Sequence, residues 1–279
     1  MRPDVLCDRL DERQDERLPG AIRPVWAAPA AITALMSSRA DGVSAVPFDS
    51  LNLRPPALGG EGMDDPAAVA ENQHRFTMAL GAQPVWLNQV HGADVVRLTV
   101  DHLAPGAALP RADASICTEP GIACTVLVAD CLPVLLCSAD GRAVGAAHAG
   151  WRGLAGGVID HTVAALCEAA DCTPDQLLAW LGPCIGPRAF EVGADVLQAF
   201  GIDPAQPDED LFRPSPRADG SLRWRANLVA LSQRRLAALG VRQVSGGAWC
   251  TVESGSRFFS FRRDGRTGRM AAGIALRAA

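Results

Sequence analysis

Three segments lying close together, Ile122–Val128, 133–137 and 143–147, are apolar at nearly every position. A strand with one wet face alternates apolar and polar residues. Strands apolar on both sides belong to a sheet covered on both faces. A fold built on them therefore needs a layer above and a layer below, and 279 residues suffice for one large domain or two small ones.

The flanking sequence supplies the covers. Pro66 follows Asp65, an N-cap residue, and opens a helix that runs to Leu80 and stops at Gly81. A second helix is expected over 153–170, with Ile159, Val163 and Leu166 as its inward stripe. Part of a third falls at 195–200, and Leu228, Leu231 and Leu239 mark a fourth. Further strands are expected at 30–36, 85–90, 94–100, Ala114–Cys117, 178–181, 257–261 and Met270–Leu276. The Pro- and Gly-rich stretch 48–65 and the charged stretch 203–221 read as loops. Residues 1–20 read as a charged, flexible leader and 21–279 as a single domain of α/β class, with no internal repeat or linker.

Composition removes whole mechanisms. All 26 basic residues are Arg. Without Lys there is no Schiff-base or pyridoxal-phosphate chemistry, no Ser–Lys hydrolase and no P-loop lysine. Without Tyr there is no phenolic acid or base. A net charge of −5 gives no overall electrostatic footprint for nucleic acid or an anionic membrane. The N-terminus mixes both charge signs and has no apolar core, so no signal peptide is expected. The longest apolar run, 122–137, is broken by Asp130 and Pro133 and is not a bilayer span. Nine cysteines, an odd number with no CxxC pair, fit reduced thiols and a cytoplasmic location.

Three segments at expected strand ends concentrate reactive side chains: Asn88-Gln89-Val90-His91-Gly92, Ala129-Asp130-Cys131-Leu132-Pro133 and His148-Ala149-Gly150-Trp151-Arg152-Gly153. Singly, a Cys is a core filler and a strand-end His a hydrogen-bonded surface group. Together they point to a site, because loops converge at strand ends in α/β folds. Two chemistries fit. Imidazole and thiolate are preferred zinc ligands, and three of them with an open fourth position is a catalytic pattern. The other is a cysteine nucleophile with a histidine base. Spacing does not separate the two.

The turn after His148 adds Gly150, Gly153, Gly156 and Gly157 around Arg152, ahead of a helix N-terminus that can hold a phosphate or simply pack tightly. Alternation along an expected strand at 257–261 would put Arg262 and Arg263 on opposite faces, one toward a site. Asp113 and Asp130 are candidate acid–base groups, with turn capping as the plainer role. Cys117, Cys124 and Cys137 read as core, Cys184 as part of a turn near the site, and Cys7 as exposed. His74, His102 and His161 have no suggestive partners.

These segments, with Ser50-Leu51-Asn52-Leu53, Ala112-Asp113-Ala114, Leu181-Gly182-Pro183-Cys184-Ile185 and the tail from Phe258 to Arg269, resemble the YfiH-like family, also called laccase-domain or multicopper polyphenol oxidoreductase proteins. The resemblance runs from about Ala34 to Leu276. It departs at Asp41-Gly42, at 54–62, at Gln73 and at Phe261. It implies a layered α/β/β/α sandwich with mixed sheets, related to the catalytic domain of cytotoxic necrotizing factor toxins. It implies His91, Cys131 and His148 as ligands of zinc, with copper as the alternative metal. The implied activity is purine nucleoside phosphorolysis of adenosine, inosine, guanosine and S-methyl-5'-thioadenosine, accompanied by adenosine deamination.

On this footing Cys131, Asp113, Asp130 and Arg263 are the expected catalytic residues, with Arg263, or Arg152 at the helix N-terminus, holding phosphate. Arg39, Asn52, Gln89 and Arg152 are the expected substrate and phosphate contacts. The alternatives are a peptidoglycan precursor editing hydrolase, a copper-dependent polyphenol oxidase and a non-enzymatic module. Five His are too few for a full multicopper centre, which favours one metal in an open site.

Overall fold

The computed structural model describes residues 12–14, 16–60 and 63–278. Two six-stranded sheets stack face to face. In spatial order the first contains β1 (Glu12–Gln14), β2 (Ile22–Pro24), β3 (Ile32–Met36), β15 (Met270–Leu276), β7 (Ile122–Val128) and β4 (Gln83–Val85). The second contains β14 (Gln243–Gly246), β10 (Leu177–Leu181), β8 (Leu132–Ser138), β9 (Val144–Ala149), β6 (Ala114–Cys117) and β5 (Val95–Leu98). A small third sheet joins β11 (Glu191–Val192), β13 (Trp224–Ala226) and β12 (Phe212–Pro214). Pairs β4–β7, β5–β6 and β10–β14 are parallel while the other pairs in the two large sheets are antiparallel, so both are mixed.

The two-sided apolar runs divide by alternation, as a strand requires. In β7, Ile122, Cys124, Val126 and Val128 enter the layer between the sheets, and Ala123 and Leu127 face the opposite way. That outer face is covered by α1 (Pro66–Leu80) through Phe76, Ala79 and Leu80. In β8, Leu135 and Cys137 enter the intersheet layer, while Leu132, Val134 and Leu136 face α3 (Val158–Ala170) and α5 (Leu228–Leu239). The result is an α/β/β/α sandwich. Trp180, Phe258 and Phe259 are fully buried in the intersheet layer. Each such side chain contributes about 1.5–3 kcal/mol of burial.

The first helix has its expected ends. Asp65 accepts from the Ala67 N–H, Pro66 opens the helix and Gly81 closes it in the left-handed region. Elsewhere the structure corrects the reading. The strand expected at 85–90 ends at Val85, because the Val90, His91 and Gly92 amides turn away to a carboxylate instead of a ladder. The helix expected over 153–170 is two helices, α2 (Trp151–Ala155) and α3, broken at Gly157 with φ 91°. The loop expected at 203–221 contains β12. No strand forms at 257–261. The chain turns there, with Arg257 and Phe258 amides donating to the Ser254 carbonyl, and enters α6 (Phe261–Asp264), capped by Ser260. Of the expected leader, 12–14 pair with β2 as a strand; 1–11, with Cys7, lie outside the described residues. Among the described residues no helix is long and apolar enough to cross a membrane.

Candidate metal centre and its cleft

The two sheets meet the solvent at one end through three connections, and each delivers a reactive side chain. His91 follows β4, at a backbone φ of 60°. Cys131 sits on the short link that crosses from β7 in one sheet to β8 in the other. His148 points from β9. One ligand atom from each lies within 4.8 Å of the others. Cys131 Sγ is 3.8 Å from His91 Nε2, and the two imidazoles meet edge to face at 4.8 Å.

Asp113 builds this arrangement. It is fully buried just ahead of β6. One oxygen accepts from the His91 N–H at 2.9 Å and pairs with His148 Nδ1 at 2.8 Å. The other accepts from the Val90 and Gly92 amides at 3.0 and 2.7 Å. The carboxylate thus fixes the His91 loop and turns His148 Nε2 toward Cys131 with Nδ1 engaged, which is how metal-binding imidazoles are oriented. Gly150 keeps the space clear: a Cβ there would lie 2.8 Å from Cys131 Sγ and 3.1 Å from His91 Cδ2. Two imidazole nitrogens, one thiolate and a second carboxylate shell fit a zinc-type ion with one position open.

The electrostatics agree. Burial works to raise the Cys131 thiol, but the His148 and His91 imidazoles outweigh it and bring the thiol down to about 6. His148 moves up, to about 9; burial opposes the shift, and the Cys131 thiolate and Asp113 overcome it. Asp113 stays below the ordinary carboxylate range despite its burial, held there by His148 and the Gly92 and Val90 amides. Near pH 7 the metal-free site is therefore a thiolate–imidazolium pair. Alkylation of the metal-free protein by iodoacetamide should label Cys131 with a half-maximal rate near pH 6 and slow as the thiol protonates below it. Cys124 and Cys137, buried and with thiols pushed up by that burial, should stay unlabelled. A Cys131 midpoint near 9, measured by mass spectrometry of the labelled peptide, would contradict this pairing.

The three ligands line a cleft of about 530 Å³. Ile185, Phe190, Leu228 and Phe261 form apolar wall, and Arg54, Arg152, Arg262 and Arg269 supply positive charge. The expected residues distribute unevenly around it. Arg152 lines the cleft, its guanidinium stacked on Trp151. Gln89 also lines it, but both ends of its amide are engaged by the Leu127 backbone, so it anchors the His91 loop to β7. Asp130 lines the cleft with one oxygen taken by the Thr251 hydroxyl and the other by the Arg262 N–H, both at 2.6 Å. Asp113 therefore positions the two histidines, while Asp130 accepts one hydrogen bond on each oxygen at the cleft wall.

Arg263 does not reach the cleft. Its guanidinium donates to the carbonyls of Thr251, Val252 and Phe258 and pairs with Asp264. Arg262 and Arg263 do point apart, but from a helical turn at 261–264 rather than a strand, and it is Arg262 that lines the cleft. Arg39 is likewise committed, to Asp49 and the Gly255 carbonyl. Asn52 is buried, and its amide binds Asp64 and the Arg54 and Arg269 backbones. Arg54 and Arg269 were not singled out from the sequence, although each adjoins a stretch that was. Arg54 follows Ser50-Leu51-Asn52-Leu53, and Arg269 leads into β15.

Residues 33–277 match a family described as multi-copper polyphenol oxidoreductase laccase. The chain is 47% identical over 250 residues to a purine nucleoside phosphorylase of Pseudomonas aeruginosa, spanning 90% of this chain and 96% of that one. It is 45% identical over 257 residues to the purine nucleoside phosphorylase YfiH of Escherichia coli, spanning 91% and 98%. The crystal structure of a Neisseria meningitidis protein superposes with a TM-score of 0.80 at 41% identity, over 93% of this chain and all of that one.

Proposed function

The chain belongs to the multi-copper polyphenol oxidoreductase laccase family, and from that premise we propose that it is a zinc-dependent purine nucleoside phosphorylase acting on adenosine, inosine, guanosine and S-methyl-5'-thioadenosine. The observation that carries the reading is the pairing of an open His91–Cys131–His148 cluster with four arginines in one cleft. The names of the relatives point the same way. The cleft volume lies in the range of small-molecule sites.

In phosphorolysis an oxygen of inorganic phosphate bonds to ribose C1' as the C1'–N9 bond breaks. The purine leaves with the bonding electrons and takes up a proton, giving free base and ribose 1-phosphate. Zinc held by His91, Cys131 and His148 would supply a Lewis acid in the cleft. Asp113 keeps both imidazoles aimed there. The apolar wall of Ile185, Phe190 and Leu228 excludes water from a bound purine. The arginines hold phosphate, a task that planar guanidinium groups suit. A multicopper oxidase is disfavoured because His91, Cys131 and His148 are the single candidate metal cluster among the described residues. Adenosine deamination needs a carrier for protons; Asp113 is engaged by four donors, and the candidate for that role is Asp130 at the cleft wall.

The test is product analysis of zinc-quantified protein with adenosine, with and without phosphate. Adenine and ribose 1-phosphate appearing only with phosphate, and lost on chelation, support the proposal. Inosine in both buffers would replace it with a deaminase, and no turnover by zinc-loaded protein would overturn it.

A further inference from the structure

A second cleft, of about 540 Å³, lies beside the first and shares Arg54, Phe261 and Arg269 with it. The two arginines are brought together by one buried amide. Asn52 Oδ1 accepts from the Arg54 N–H at 3.3 Å and from the Arg269 N–H at 2.9 Å, and the Leu53 N–H donates to the Arg269 carbonyl. Asn52 Nδ2 is held in turn by Asp64. The backbones are therefore locked as a pair, while neither guanidinium group forms an ion pair among the described residues.

Among the described residues the Arg54 guanidinium has no hydrogen bond or ion pair. That of Arg269 donates through Nη1 to the Thr267 and Gly268 carbonyls, and no carboxylate pairs with it. The Arg269 guanidinium is held below the usual arginine range by burial and then by the charge of Arg54, so two like charges share one wall. Thr267, 6% exposed and lining the second cleft, has a hydroxyl with no hydrogen-bond partner among the described residues. Two guanidinium groups without an ion pair among the described residues, on a wall shared by two clefts, make a socket suited to an anion.

We propose that Arg54 and Arg269 form the phosphate subsite of this protein, on the wall between the two clefts. The ligand is a phosphate dianion, free or as the phosphate of a sugar 1-phosphate. The assignment rests on the phosphorylase reading for its place in the reaction, and replaces Arg263, whose guanidinium is consumed by carbonyls and Asp264.

The experiment measures inorganic phosphate binding to the zinc-loaded protein by calorimetry, and the phosphate and nucleoside KM values in turnover. Arg54→Gln and Arg269→Gln should each weaken phosphate binding and raise its KM by about 10-fold or more. The nucleoside KM and zinc content should stay within twofold of the wild type, and Arg54→Lys should recover part of the loss. Arg54 has no side-chain partner to lose among the described residues, so its variant stays informative if Arg269→Gln does not fold. Wild-type turnover with unchanged phosphate KM in Arg54→Gln would overturn the subsite and leave the phosphorylase reading standing. Phosphate binding that depends on Arg54, without nucleoside turnover, would uphold the anion socket and sink the phosphorylase reading. Ribose 1-phosphate as a competitor distinguishes the two phosphate sources.

Discussion

Replacing Cys131 with alanine is expected to strip the protein of its metal and lower kcat/KM by about 10³-fold, near 4 kcal/mol of transition-state stabilisation. The thiolate is one of three donors and the one that carries full negative charge; without it two imidazoles remain. The loss reaches further, because the thiolate is the largest influence holding His148 protonated in the metal-free state. Stability should move little. Cys131 is partly buried at the edge of the intersheet core, and the neighbouring Leu132 is the fully buried residue of the link. Metal analysis, steady-state kinetics and a thermal melt check the three statements together. A variant with full zinc and full turnover would remove Cys131 from the centre.

Asp113→Asn should behave differently, losing stability as well as metal. Four donors converge on this buried carboxylate, two on each oxygen. An amide keeps one oxygen and sets an NH₂ against two N–H groups. Two charge-assisted bonds are lost and donors are left facing donors, at about 3 kcal/mol. For a chain of this size that is a Tm about 6–12 °C lower. Metal affinity should fall about 10- to 100-fold, the usual effect of disturbing a ligand's supporting carboxylate. An unchanged Tm would show that the Val90–Gly92 turn holds without Asp113.

The contrast between the two variants shows what was readable in advance. His91, Cys131 and His148 stand out because each lies at the end of an apolar strand, where a reactive side chain has no packing role. Whether they met in one cluster able to hold a metal depended on a crossing between sheets that spacing does not encode. The role of Asp113 was missed for a related reason. Its partners are backbone amides more than 20 residues away and a histidine 35 residues away. A carboxylate that looks like an acid–base group in sequence is, in space, a hub of hydrogen bonds. The two-sided cover of the central strands and α1 were legible because burial periodicity and capping are local signals, whereas the four-layer order came with the family resemblance. The segment 257–261 misled because Phe258 and Phe259 fill the intersheet layer from a turn, and the error placed Arg263 at a cleft that Arg262 lines instead.

The link that bears Cys131 has a mechanical consequence. His91 is held to the first sheet through the Gln89–Leu127 pairing and to the second through Asp113, His148 projects from the second, and Cys131 rides the chain that crosses between them. The spacing of the three donors is thus a gauge of how the sheets are seated on one another. Val126 and Leu135 face the layer between the sheets, so trimming either would let one sheet slide and register as looser metal binding. Changes that look like distant packing defects would be read out as chemistry. As temperature rises, the ion should be shed while the sheets are still formed.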